Sequence, residues 1–399
     1  MNFNHEKLNS QSIKTKPYTL MNKNIELMDV EISNGVFIRV DNIKNYEFMP
    51  IMILSSTKSE NFNLVETLNN WWRKRRIPAS RDGIKEIIES FKNFSDGDYI
   101  SNLDHLLERA LGLSLTDQYW IRPFSNMKWK DINFFTNDFS DDIGKILGDG
   151  NWLGDVIQSP DAGLDGVIKK KWKIINNVRY LVKGSSGYPW YAQPFREVLA
   201  GKIAETLMKP FDSGYATNYQ IINDNGEIFS ICPCFITENI EYVPFQHFYY
   251  DRQIATGEKQ FEYIKSFYDD KSFVLDIMII LDYLIINTDR HLGNFGLIRS
   301  AETGDIIRPA PIFDTGNSLF YASRVFEANQ NISKPFLRHH EEQIKLVDLN
   351  LYQESLQLLK KDFNSIFQSS FVNSSEGKDR LSEISNIVSK RIEKLLVFS

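Results

Sequence analysis

A carboxylate, an imidazole and a carboxamide crowd into Asn287-Thr288-Asp289-Arg290-His291-Leu292-Gly293-Asn294-Phe295, and a second carboxylate follows in Pro311-Ile312-Phe313-Asp314-Thr315-Gly316-Asn317. Taken singly, each has an ordinary explanation. An Asp is a frequent turn residue or helix cap, and a lone His is more often a hydrogen-bonded structural residue than a reactive one. Together the spacing describes something else. An Asp, an Asn five positions on and a second Asp before a Gly is the order that kinases use for phosphoryl transfer. There the first Asp accepts or orients the hydroxyl proton, while the Asn and the second Asp hold Mg2+ on the ATP phosphates. On this template Asp289 is catalytic, with His291 grouped beside it, and Asn294 and Asp314 are metal ligands. The flanking letters differ from the H-R-D and D-F-G of ordinary protein kinases.

The elements around these residues would hold them in place. Phe273 to Ile286 is apolar except for Asp276, Asp282 and Tyr283, which predicts a buried helix of about four turns. A short strand is expected over Phe295–Ile298, so both ends of the polar loop are pinned in the core. Upstream, Val167–Ile175 and Val178–Val182 predict a hairpin closed at Asn176-Asn177, which leaves Lys183 at a strand end. A lysine there is usually a surface residue, but it is also where kinases place the group that meets the α- and β-phosphates. A helix follows over Phe195–Met208, with Pro194 at its start and Pro210 just past its end. Glu197 lies in its first turn, 14 residues after Lys183. An acid there could simply complement the helix dipole; in a kinase it pairs with and orients the lysine. Asp161-Ala162-Gly163-Leu164-Asp165-Gly166 reads as a turn between short strands. Gly163 and Gly166 make a fragment of a nucleotide loop, although two glycines suit any hairpin. Tyr219–Ile222 and Ile228–Phe235 predict another hairpin whose exit, at Phe235, would be the hinge where backbone groups meet adenine.

The stretch Asn287–Phe295, with Phe313-Asp314-Thr315-Gly316 downstream, resembles the HipA-like serine/threonine kinases of bacteria. The likeness runs in order from about Ser159 through Asn317 and more loosely beyond. It implies an α+β, two-lobed, protein-kinase-like fold with an additional N-terminal region. ATP and Mg2+ are the implied cofactors, a Ser/Thr hydroxyl on a protein substrate is the acceptor, and an antitoxin-like partner belongs to the same expectation. Such kinases can carry a regulatory serine in the nucleotide loop, and Ser159 is the nearest hydroxyl. Two rival classes stand beside this reading. One is a nucleotide-binding pseudokinase or regulatory partner-binding module. The other is a DNA-associated factor, suggested by Arg73-Lys74-Arg75-Arg76 and by the DNA-binding partners of the family.

Composition narrows the field. The chain has 399 residues, 42% hydrophobic and 13% aromatic, enough for a two-lobed globular enzyme. A net charge of −6 gives no overall pull toward nucleic acid and argues against binding it directly. The basic run flanked by Trp71 and Trp72 is expected to be a solvated face or a partner to the acidic surface. Cys232 and Cys234 form neither a zinc set nor a C-x-x-C pair, and suggest small buried side chains in a reducing compartment. The polar N-terminus lacks a signal-peptide pattern, and Phe273–Ile286 falls short of a membrane span. A cytoplasmic protein is expected, without membrane association.

Three regions follow: an N-terminal β plus helical region over 1–155, a kinase-like N-lobe over 156–245 and a helical C-lobe over 246–399. Residues 1–20 read as a weakly ordered lead-in. Strands are expected at Val36–Val40, after Asn34-Gly35, and at Met49–Leu54. Helices are expected within Phe62–Leu111, one capped by Asn61 and another starting at Asp82-Gly83. The aromatic stretches Leu113–Ile121 and Trp129–Phe135 read as a packed connector, and Leu346–Phe367 and Leu381–Leu396 as C-lobe helices.

Overall fold

A computed structural model of the chain describes residues 15–57, 59–77, 99–123, 126–139, 160–163, 170–186, 191–224, 226–248, 257–323, 332 and 334–397. Its first sheet contains β1 (Lys16–Asn22), β2 (Ile25–Ser33), β3 (Val36–Asp41) and β4 (Tyr119–Arg122), in the order β3-β2-β1-β4. Asn34 and Gly35 join β2 to β3 with φ of 50° and 77°, the left-handed pair that a tight hairpin requires. A side chain at Gly35 would also collide, since its Cβ would lie 2.2 Å from the Asp104 carbonyl carbon.

Several expectations for this region need correction. Met49–Leu54 is not a strand; a helix spans Ile51–Ser56. Pro50 starts it, its carbonyl accepting from Ile53 N at 2.8 Å, and the buried Met49, Met52 and Ile53 follow helical rather than alternating spacing. The cap of the Leu64–Arg73 helix is Asn63, not Asn61: its Oδ1 accepts from Glu66 N at 3.1 Å. Leu113–Ile121 is more than a connector, because its end becomes β4 and pairs with β1. The basic run divides: Arg73 and Lys74 form the solvated face expected of it, while Arg75 is buried over the Trp71 ring and pairs with Asp117, and Arg76 pairs with Asp104. Buried acids need such partners, which is what draws the two arginines inward. The expected lead-in over 1–20 gives way to β1 from Lys16, while residues 1–14 and the segment from Asp82-Gly83 lie outside the described residues.

The second sheet is made of β5 (Lys170–Ile175), β6 (Val178–Lys183), β7 (Gln220–Asp224) and β8 (Glu227–Pro233), ordered β5-β6-β8-β7. Asn176 and Asn177 close the β5–β6 hairpin with φ of 50° and 64°. Cys232 on β8 packs with Val198 and Tyr219, and burial pushes its thiol up to about 12. A third sheet, ordered β11-β10-β9, comprises β9 (Ile240–Pro244), β10 (Gly296–Ser300) and β11 (Ile306–Pro309).

Under these sheets lies the largest core. At its centre is the helix Phe273–Ile285, in which every residue is buried, packed against the helices Gln193–Met208 and Lys378–Val397. The helix Gln353–Ser370 lies against the 193–208 helix, and Ile384, Val388, Ile392 and Leu395 form the buried stripe of the last helix. Each fully buried Leu or Ile of this kind is worth roughly 1.5–3 kcal/mol. Arg299 ties the N-terminal sheet to this body. It donates to Glu241 Oε1 at 2.9 Å, to the Tyr119 hydroxyl at 3.0 Å and to the Met49 carbonyl at 3.0 Å. Among the described residues, no helix is long and apolar enough to cross a membrane.

Candidate active site

β6 ends on Lys183, which is almost fully buried. Its Nζ donates to Glu197 Oε1 and, at 2.6 Å, to Asp314 Oδ1. Burial disfavours the ammonium, but the carboxylates of Asp314 and Glu197 outweigh it and hold the Lys183 pKa above its ordinary value. Asp314 is shifted the other way: burial works against its charge, yet Lys183, Lys170 and Arg290 keep it firmly ionised. Lys170 sits opposite Lys183 across the β5–β6 ladder. Glu197 is fixed from behind, its Oε2 accepting from Thr315 N at 3.0 Å and from Thr315 Oγ1 at 2.9 Å. Gly316 follows against the same helix. A Cβ there would stand 3.2 Å from Gln193 Cβ and 3.3 Å from Glu197 Oε1.

The polar loop starts where the apolar helix stops. Ile286 takes φ 53° and ψ 51°, the left-handed region, which is rare and strained for a β-branched residue. Asn287, buried behind it, donates Nδ2 to Asp282 at 2.8 Å and accepts from Asp289 N at 3.2 Å. Arg290, with no solvent access, grips Asp282 through Nε at 2.8 Å and Nη2 at 3.0 Å. Its remaining amine, Nη1, donates to the carbonyl of Asn294 at 3.0 Å and to that of Phe313 at 2.7 Å. One guanidinium thus fixes the backbone at Asn294 and immediately before Asp314. Asn294 spends its Nδ2 on the Asp289 carbonyl at 3.2 Å. Its Oδ1 is therefore directed elsewhere as an acceptor.

Asp289 is half-exposed at the rim, its Oδ2 accepting from Asn317 Nδ2 at 2.9 Å, with Lys334 Nζ 3.8 Å from Oδ1. His291 is exposed, and its Nδ1 accepts from Gly293 N at 3.1 Å. That tight local turn holds the imidazole against its own loop. Phe235 is partly buried at the exit of β8, 5.7 Å from the Phe313 ring centroid and 6.2 Å from that of Tyr242. Tyr242 in turn donates its hydroxyl to the Gly293 carbonyl at 2.9 Å, tying this aromatic group to the polar loop.

The structure therefore gathers Lys183, Glu197 and Asp314 in direct contact, and ties Asp289 to Asn294 through one hydrogen bond and to Asp314 through the Arg290 clamp. Gly163 ends a 3-10 turn at Pro160–Gly163, where a turn between strands was expected; Gly166 and Ser159 lie outside the described residues. Asp161 of that turn accepts from Trp172 N at 2.8 Å. Sequence reasoning missed Arg290, Thr315, Gln193 and Asn317. Asp282 was the available clue, since a carboxylate inside so apolar a helix must find a cation.

A fit to Mg2+ can be judged from the donors. An ionised carboxylate on Asp314 and a carboxamide oxygen on Asn294 are the hard oxygen ligands that Mg2+ prefers. Among the described residues no cluster of three or more His, Cys, Asp or Glu side chains forms a separate metal cage.

A four-stranded sheet with a strand-end lysine, a helix acid beneath it, and a polar loop and second Asp on a helical lobe together define a kinase-like fold. Comparison with solved structures agrees. The chain is similar to HipA of Shewanella oneidensis MR-1, solved in a complex of a toxin–antitoxin system's HipA, HipB and operator DNA. The TM-score is 0.53 at 13% identity, covering 94% of this chain and 97% of HipA. A match to the Helicobacter pylori proinflammatory kinase CtkA covers 60% of this chain and 94% of that one, with a TM-score of 0.43 at 19% identity. No protein-family model matches the sequence, and no curated protein matches it.

Proposed function

We propose that the chain is an ATP- and Mg2+-dependent kinase that transfers a phosphoryl group to a Ser/Thr hydroxyl of a protein substrate. The observation that carries this is the buried Lys183 ammonium shared between Glu197 and Asp314, with the backbone before Asp314 tied to the Asp289–Asn294 loop through Arg290. In this reading Lys183 meets the nucleotide phosphates, and Glu197, held by Thr315, keeps the ammonium aimed after it leaves Asp314. Asn294 and Asp314 would hold Mg2+, which supplies charge neutralisation on the phosphates when bound. Asp289 orients the acceptor hydroxyl and takes its proton as the new O–P bond forms and the bond to the leaving phosphate oxygen breaks. Backbone groups near Phe235 would meet the adenine, and Gly163 would lie near the phosphates. His291, exposed on the same loop, would act beside Asp289 on the substrate side in this reading.

A protein acceptor is supported by the sequence resemblance, and an antitoxin-like partner by that resemblance and by HipA having been solved with HipB; a cytoplasmic location rests on the sequence reading. The direct test is to incubate the purified chain with γ-labelled ATP, Mg2+ and a host lysate. Label should enter phosphoserine or phosphothreonine of a protein and depend on Mg2+. ATP binding without any transfer would favour the pseudokinase reading instead.

A further inference from the structure

We propose that Asn317 is a positioning residue for Asp289, and that Gln193 sets which way Asn317 faces. This rests on the kinase reading above and adds two residues to it. A carboxylate accepts and never donates, so the group 2.9 Å from Asp289 Oδ2 must be the Asn317 amide nitrogen. That leaves Asn317 Oδ1 on the other side, where Gln193 Nε2 donates to it at 3.3 Å. Gln193 is itself oriented without ambiguity. Its Oε1 accepts from the backbone N–H of Ser186 at 2.9 Å and from the Ser185 hydroxyl, while Nε2 also reaches Ser186 Oγ at 2.9 Å.

The relay is thus directed from both ends, by a main-chain donor and by a carboxylate, and neither amide can flip without losing two partners. Its far end lies on 184–186, the segment that leaves β6 just after Lys183, and Gln193 opens the helix that carries Glu197. The same Asn317 is pinned by its backbone, with its carbonyl accepting from Thr288 N and Thr288 Oγ1, both at 3.3 Å. The Asp289 carboxylate is otherwise half-exposed, with Lys334 Nζ a longer 3.8 Å from Oδ1, so the Asn317 amide makes its shortest side-chain contact among the described residues. In this proposal that bond selects the rotamer that leaves Oδ1 for the acceptor hydroxyl.

The test compares wild type, Asn317→Ala, Asp289→Asn and the double variant, with kcat and KM for Mg·ATP measured on one protein substrate. Asn317→Ala should lower kcat by about ten- to hundredfold, the scale of losing one hydrogen bond to a charged group, with KM for ATP within about twofold of wild type. In the Asp289→Asn background the same substitution should change kcat by less than about twofold, because there is no longer a base to aim. Gln193→Glu supplies a second variant of nearly the same shape. A carboxylate at 193 attracts the Asn317 amide nitrogen and turns Oδ1 toward Asp289, so kcat should fall as in Asn317→Ala. Thermal unfolding of each variant confirms that it is folded. An active wild type with an Asn317→Ala effect that is absent, confined to KM, or undiminished in the Asp289→Asn background overturns the positioning role alone. A wild type that binds ATP but transfers no phosphate overturns the kinase reading, and this role with it.

Discussion

Arg290 and Asp282 form a two-pronged ion pair closed off from solvent, with Nε to Oδ2 at 2.8 Å and Nη2 to Oδ1 at 3.0 Å. The pair joins the most apolar helix of the chain to the loop bearing Asp289. Because Arg290 Nη1 also binds the carbonyls of Asn294 and Phe313, its position sets the spacing between the two proposed metal ligands. Burial works against the guanidinium charge, and Asp282 more than restores it, so the arginine pKa is raised.

Removing one partner should therefore be costly. Asp282→Ala would leave an unpaired guanidinium in the core and should destabilise the fold by about 3–5 kcal/mol. A urea titration measures it: the midpoint should drop sharply with the slope preserved. An unchanged midpoint would mean that Arg290 finds another partner, and that the clamp is not structural.

Lys183→Ala should weaken ATP binding by at least about tenfold, or roughly 1.4 kcal/mol, by calorimetry. The substitution also leaves Glu197 and Asp314 facing one another without their shared cation. Glu197→Gln should give a milder form of the same defect, since Thr315 can still hold the side chain. Unaltered ATP affinity and turnover in both variants would remove the ion pair from the nucleotide site.

Asp314→Asn should nearly abolish Mg2+-dependent turnover while the protein remains folded, because it deletes the charge offered to the metal. Raising the Mg2+ concentration should recover part of the loss. Activity at the wild-type level with an unchanged Tm would rule out the metal role.

His340 offers a pH test. It is buried, and burial together with the nearby Arg391 lowers its pKa from 6.5 to about 4, so the folded protein keeps it neutral. Between those values the unfolded chain binds more protons than the folded one, so stability falls as pH drops from about 6.5 to about 4. The full contribution is present above the unfolded value and is on the order of 3 kcal/mol. His340→Gln should flatten that part of the stability–pH curve, as read from unfolding midpoints at pH 7, 5.5 and 4. A curve of unchanged slope would assign the acid loss to other groups.

Much of the site was legible because its signals are local. The Asn176-Asn177 turn puts Lys183 at a strand end, Pro194 lies in the first turn of the helix of Glu197, and Asp289, Asn294 and Asp314 keep the spacing of the kinase template. What escaped was the set of contacts made between distant segments. Asn317 meets Gln193 and Asp289 only after the lobes assemble, and Arg290 looked like a loop residue until Asp282 claimed it. In the N-terminal region Met49–Leu54 was misread because a short apolar run fits strand or helix equally until Pro50 decides. For Arg75 and Arg76 the sequence left a solvated face and acidic partners open for a related reason: the acids they meet, Asp117 and Asp104, lie far along the chain.

The central claim is that Asp289 serves the chemical step rather than nucleotide binding. Asp289→Asn keeps the size of the side chain and its rim position, but cannot take a proton. ATP affinity by calorimetry and phosphorylation rate should be measured on the same preparation. The account predicts that Mg·ATP binds within about twofold of wild type while the rate falls by about 10²–10⁴, the usual size of a general-base contribution. Full activity in the variant, or a loss of ATP binding in parallel with the rate, would contradict it.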